Sequence, residues 1–183
     1  DVTNTTNNVI DMNQTNNTNN NTVTVKLNGV YRIDSSIKGY KLTVIGSKLL
    51  FRNMFHNIKQ NFRITEKNES IYTIESVSFN KIIGLNNNND LVLLDNDRID
   101  LYTNVYWEII PINNNEYIIQ NNNTKKIINS NIYSTPKCTE ILSELTGSLT
   151  DTYKFSFLKL YEEALIKPEH IKLIENEPVD VII

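Results

Sequence analysis

The residues that could make this chain an enzyme or a metal protein are three aspartates, two histidines and one cysteine. Asp95, Asp97 and Asp100 offer clustered hard oxygen ligands of the kind calcium takes. However, the run Asp95-Asn96-Asp97-Arg98-Ile99-Asp100 lacks the glycine and the distal glutamate of an EF-hand loop. It reads as an acidic turn. His56 and His170 have no partner at i+3 or i+4 from which a zinc site could be built. Cys138 follows Ser134-Thr135-Pro136-Lys137 with no recognisable nucleophile context around it. The five glycines stand apart, so no phosphate-cradling loop exists, and the pattern supplies no carboxylate pair for glycoside hydrolysis. No catalytic residue, metal or cofactor is assigned.

With chemistry of that kind set aside, the elements themselves carry the information. The chain has 183 residues and a net charge of −3, which suits one ordinary domain plus some sequence outside its core. That charge gives no chain-level attraction for nucleic-acid phosphates or an anionic bilayer, and no run reaches the roughly twenty apolar residues of a membrane span. Neither nucleic acid nor membrane insertion is expected. Alanine occurs once and arginine four times while Asn, Ile and Lys abound, as AT-rich codons would produce. A lone cysteine cannot close an intrachain disulfide, so packing must hold the fold.

Residues 1 to 22 are almost wholly Asn, Thr, Asp, Gln and Val, too poor in apolar surface to offset the entropy of ordering, and read as a disordered arm. From Val23 onward short β-branched and aromatic runs alternate with Asn, Asp, Gly and Ser clusters, such as Asn86 to Asp90 and Asn113 to Asn115. No long 3.6-residue period interrupts them. The class is all-β.

An internal repeat is the strongest signal. Three segments align without gaps, opening at Tyr31, Tyr72 and Tyr117, each as aromatic-x-Ile, and each reaches an apolar residue eleven positions on, at Leu42, Ile83 and Ile128. A closing aromatic strand follows at Phe62-Arg63-Ile64, Trp107-Glu108-Ile109 and Phe155-Ser156-Phe157. Ten residues separate Phe62 from Tyr72, and ten separate Trp107 from Tyr117. Three such units of several short strands predict one closed three-fold barrel over residues 23–160, its core ringed by Phe62, Trp107 and Phe155. Residues 161–183 form a C-terminal extension whose alternating Ile171 to Leu173 and Val179 to Val181 offer a strand for assembly with a larger complex.

The opening Tyr-x-Ile and the closing Gln60-Asn61-Phe62, with its variants Val105-Tyr106-Trp107 and Tyr153-Lys154-Phe155, resemble the repeats of ricin-type β-trefoil lectins. In style, Asn28 to Ile33 and Tyr106 to Pro111 are also similar to trefoil subunits of clostridial haemagglutinin complexes and to microsporidian ricin-B-lectin-like proteins. The resemblance implies a β-trefoil of three pseudo-repeats and a sugar site in each, with an acidic residue accepting hydroxyl hydrogen bonds beside a stacking aromatic. The acidic position falls at Thr43, Gly84 and Asn129, none of them acidic. Two carbohydrate-binding candidates follow: Asn129 with Tyr133, and Thr43 with Phe51 and Gln60.

The implied function is a non-enzymatic binding module, secreted or surface-exposed, that recognises glycans or a protein partner through trefoil loops. Alternatives are an assembly subunit of a toxin, adhesin or coat complex and a trefoil protease inhibitor using the stretch Ser130 to Asp151, which contains Pro136 and Cys138. Export agrees with a chain that begins at Asp1 without methionine and with sequons at Asn4, Asn13, Asn16, Asn20, Asn68 and Asn122.

Overall fold

A computed structural model describes residues 26–140 and 149–162. The expected disordered arm, residues 1–22, and the extension from residue 163 on lie outside the described residues. Among the described residues twelve strands follow one another: β1 (Gly29–Ser35), β2 (Lys41–Ile45), β3 (Lys48–Arg52), β4 (Phe62–Asn68), β5 (Ile71–Ser76), β6 (Lys81–Leu85), β7 (Leu91–Asp95), β8 (Trp107–Asn113), β9 (Glu116–Asn121), β10 (Ile127–Asn129), β11 (Lys137–Thr139) and β12 (Phe155–Tyr161). Short 3₁₀ turns precede β4, β8 and β12. Each repeat contributes four strands, so the closed three-fold barrel expected from the spacing, and the all-β trefoil that the resemblance implies, is the fold observed.

Antiparallel pairing closes six of these strands into a ring, β1–β4–β5–β8–β9–β12 and back to β1, which leaves the barrel without an open edge. The hairpins β2–β3, β6–β7 and β10–β11 cover it. Register repeats with the sequence. Each opening tyrosine stands opposite the closing aromatic of its own repeat: Tyr31 opposite Phe62, Tyr72 opposite Trp107, Tyr117 opposite Phe155. One layer along, Ile64 pairs with Ile74, Ile109 with Ile119 and Phe157 with Ile33, while in the hairpins Leu42 meets Phe51, Ile83 meets Leu93 and Ile128 meets Cys138. Period-2 alternation turns these side chains inward, and all but the partly buried Ile109 and Leu93 are buried.

The same three-fold logic fixes the turns that leave the barrel. Ser35, Ser76 and Asn121, all buried opposite the closing aromatics, accept from the backbone N–H of Ile37, Phe79 and Asn123. Gly39, Asn80 and Lys125 occupy one position of the aligned repeats, and all three have left-handed φ values of 90°, 53° and 62°. A β-branched side chain there would clash with its own backbone. The barrel is thus a rigid base, and the polar loops between its strands are where a ligand could be met.

Candidate functional site

The three positions at which the resemblance expects an acidic residue have different surroundings. Thr43 is fully buried, its hydroxyl donating to Lys41 O at 2.8 Å and accepting from Gln60 Nε2 at 3.3 Å. Gln60 is buried as well. It is the last residue of the 3₁₀ turn Ile58–Gln60, where its Oε1 accepts from Asn57 N while Asn57 Oδ1 accepts from Lys59 N, a reciprocal cap. Phe51 packs against Phe155 in the core, ring centroids 5.6 Å apart. The candidate set Thr43, Phe51 and Gln60 is therefore corrected: strand alternation turns Phe51 inward, the capped turn lays Gln60 over Thr43, and no face of the three is open to a sugar.

Repeat two is closed differently. A Cβ placed on Gly84 would lie 2.8 Å from Leu94 Cδ1, 3.0 Å from Val105 Cγ1 and 3.1 Å from the Asn104 carbonyl oxygen. Val105 sits where repeat one has Gln60, so in both repeats the closing motif covers the expected sugar position. In repeat three Tyr153 holds that place, its hydroxyl accepting from Thr139 Oγ1 at 3.4 Å.

Repeat three keeps an open loop between β10 and β11. Asn129 ends β10 half-buried, and its Oδ1 accepts from Asn131 N at 3.0 Å. Its Nδ2 has no hydrogen-bond partner among the described residues. Asn131, at φ 46°, starts a turn closed by Ser134 N donating to Asn131 O at 2.9 Å, and its own Nδ2 donates to Ser134 Oγ and to Thr135 O. Asparagine tolerates that backbone better than most residues. The turn lifts Tyr133 almost free of the protein, 90% exposed. The structure brings Asn129 and Tyr133 to one loop, with an amide at its base and a phenol ring at its crest.

The loop is braced from outside its own repeat. Ser130 N donates to Thr152 O at 2.8 Å, and the Ser130 hydroxyl accepts from Ser35 Oγ at 3.4 Å. From repeat two, Leu91 N donates to Pro136 O and Cys138 N donates to Asn89 O at 2.8 Å, while Lys137 Nζ lies 2.8 Å from Asp90 Oδ1. The Lys137 ammonium holds the Asp90 carboxyl below the usual aspartate range. Sequence reasoning saw Asn86 to Asp90 only as a turn and missed Asn131, Ser134 and this brace. The one signal available was the Asn/Asp turn at the matching hairpin of the preceding repeat.

Other sequence candidates are dispersed. In the stretch read for protease inhibition, Pro136 and Cys138 are buried, and residues 141–148 lie outside the described residues. Burial raises the Cys138 thiol to about 12, far from a reactive thiolate. Asp95 is tied to Lys81 at 2.7 Å. Asn68 is exposed beside the β4–β5 turn, and Asn122 is half-buried.

No protein-family model and no curated protein sequence matches the chain. Solved structures do. Over 74% of this chain and 100% of the other, it is similar to SeviL, solved bound to asialo-GM1 saccharide, at 15% identity and a TM-score of 0.60. The BEL β-trefoil is similar over 72% of this chain and 93% of its own, at 13% identity and 0.60. A mosquitocidal holotoxin is similar over 77% of this chain at 16% identity and 0.64, the match spanning 18% of the toxin. At such identities the likeness concerns the fold, which is the β-trefoil that ricin-type lectins share.

Proposed function

We propose that this chain is a non-enzymatic binding module that engages a neutral glycan through the repeat-three loop, with the Tyr133 ring as stacking platform and the Asn129 amide as hydroxyl partner. The observation that carries the reading is the contrast between repeats: Gly84 is walled in and Thr43 is covered by Gln60, while Asn129 and the 90% exposed Tyr133 stay accessible. An apolar ring beside fixed amides and hydroxyls is the usual composition of a site for polyhydroxylated ligands. One shallow site predicts weak binding per copy, which a lectin offsets through multivalent display. A place outside the cell or on its surface belongs to this proposal, since extracellular glycans are found there.

The likeness to one segment of a mosquitocidal holotoxin supports a second reading, in which the trefoil is the recognition part of a larger assembly. Glycan-array screening of the intact chain beside Tyr133→Ala and Asn129→Ala tests the first reading. Loss of signal in either variant at an unchanged melting temperature supports it. Full signal in both variants, or none from the intact chain, overturns it.

A further inference from the structure

The net charge of −3 conceals a strong asymmetry. From Ser35 to Thr65 the sequence contains Lys38, Lys41, Lys48, Arg52, Lys59 and Arg63 and no Asp or Glu, whereas the remainder sets twelve Lys and Arg against 21 Asp and Glu. Arg63 is tied to Glu75 at 3.0 Å. The other five cations form no ion pair among the described residues. Two of them face each other: Lys41 and Arg52 are direct cross-strand partners in the β2–β3 hairpin. Like charges in that arrangement destabilise a sheet, so an uncompensated pair in a chain with acids to spare calls for an explanation outside folding.

Beside this pair lies a hollow of about 640 Å³ lined by Arg32, Lys41, Asn53, Met54, Phe55 and His56, within the roughly 300–1,000 Å³ of ordinary small-ligand sites. None of the six is acidic. Lys41 Nζ is held by donating to Gly39 O at 3.1 Å and to Met54 O at 3.3 Å, which leaves its third N–H to spare. Phe55 rises from the same loop with 94% of its surface exposed. Arg32 is shared with an adjoining hollow of about 280 Å³, where Asp34, Asn115 and Ser156 supply polar groups. Arg32 Nε and Nη2 each donate to Asp34 at 2.7 Å, which orients that carboxylate as a charged acceptor.

We propose that this repeat-one face binds an acidic saccharide, the carboxylate or sulfate of one sugar lying against Lys41 and Arg52, its ring on Phe55, and a neighbouring neutral sugar over Asp34 and Asn115. The cations explain why the anion is required, and the aromatic and amide groups explain why a sugar carries it. This site is separate from the repeat-three loop and does not depend on it.

Calorimetric titration of the full chain with 3′-sialyllactose, a heparin-derived octasaccharide and lactose tests the inference. The two anionic probes should bind at least about tenfold more tightly than lactose, the margin expected of charge-assisted over neutral hydrogen bonds. Raising salt should weaken the octasaccharide most. Lys41→Gln with Arg52→Gln should weaken the anionic probes about tenfold, and Phe55→Ala about fivefold; Phe55 touches too little for its truncation to disturb folding. Asn129→Ala and Tyr133→Ala should leave anionic binding unchanged, which separates this inference from the repeat-three proposal.

Equal affinity for lactose and 3′-sialyllactose overturns the inference, as does no binding of either anionic probe. So does loss of anionic binding in Tyr133→Ala. Sedimentation with phosphatidylserine vesicles in the absence of any saccharide binding would instead make Phe55 and the surrounding cations a lipid-facing surface.

Discussion

Asp90 and Lys137 belong to different repeats, yet Lys137 Nζ lies 2.8 Å from Asp90 Oδ1 and the two residues form an isolated β-bridge. This contact ties the β6–β7 turn to the strand that ends the candidate glycan loop. Half of the lysine side chain is in water, 51% exposed, so the pair contributes at most about 1 kcal/mol to global stability. Its larger effect is expected on loop order. Asp90→Asn should lower the urea midpoint only slightly while weakening any Tyr133-dependent glycan binding severalfold, and amide exchange should quicken from Asn131 to Thr135. A variant that melts far earlier with the loop unchanged would assign the pair to global folding instead.

Trp107 offers a direct test of the core. Its ring is fully buried, and Nε1 donates to the Ile83 carbonyl at 3.0 Å, linking β8 to the hairpin that caps its own repeat. Trp107→Phe removes the donor, leaves a buried carbonyl unpaired and opens a small cavity, so a loss of about 2–4 kcal/mol is expected by chemical denaturation. As the chain's one tryptophan it also reports the result by fluorescence in the parent protein, with emission blue-shifted in the native state and moving red on unfolding.

The barrel was legible in the sequence because every repeat writes the same core in the same spacing. Tyr31, Tyr72 and Tyr117 lie opposite Phe62, Trp107 and Phe155, and the gapless alignment brings Gly39, Asn80 and Lys125 to one left-handed position. The site was legible only in part. Phe51 and Phe55 are four residues apart and chemically identical, but β3 ends at Arg52, so alternation buries Phe51 while Phe55 projects from the loop beyond. Thr43 is sealed by Gln60, seventeen residues on, through a capped turn whose path no local pattern fixes. Averaged charge hid the acid-free run from Ser35 to Thr65, because net charge carries no position.

Gly84 tests whether repeat two is a degenerate sugar site or a filled one. Restoring an acid there, as Gly84→Asp, would drive its Cβ to 2.8 Å from Leu94 and 3.0 Å from Val105, with the Asn104 carbonyl also close and unable to move as a side chain can. The expected outcome is a loss of about 1–3 kcal/mol and no gain of glycan binding. Gly84→Ala should cost less, and pairing it with Val105→Ala should recover part of that loss if Val105 is what fills the space. Thermal melts of the three variants decide this, and a stable, sugar-binding Gly84→Asp would show the repeat to be a site awaiting its acid.

Acid sensitivity should trace in part to Glu116. Ser36 Oγ donates to its Oε2 at 2.7 Å and Asn113 Nδ2 to its Oε1 at 2.9 Å, and these bonds hold the carboxyl below its ordinary value of 4.5. The lowered value means the unfolded chain takes up the proton first as pH falls. The stabilisation from Glu116 is therefore complete above about pH 5.5 and declines below 4.5, and it is gone once the folded carboxyl is itself protonated. Because Ser36 precedes β2 and Glu116 opens β9, the contact joins repeat one to repeat three, and its loss should loosen the barrel between them. Glu116→Gln keeps the shape without the titration, so its unfolding free energy should fall less steeply than the parent's between pH 5 and 3. Parallel pH profiles for the two proteins would remove Glu116 from the acid response and direct attention to Asp90 and Asp95, whose carboxyls Lys137 and Lys81 lower in the same sense.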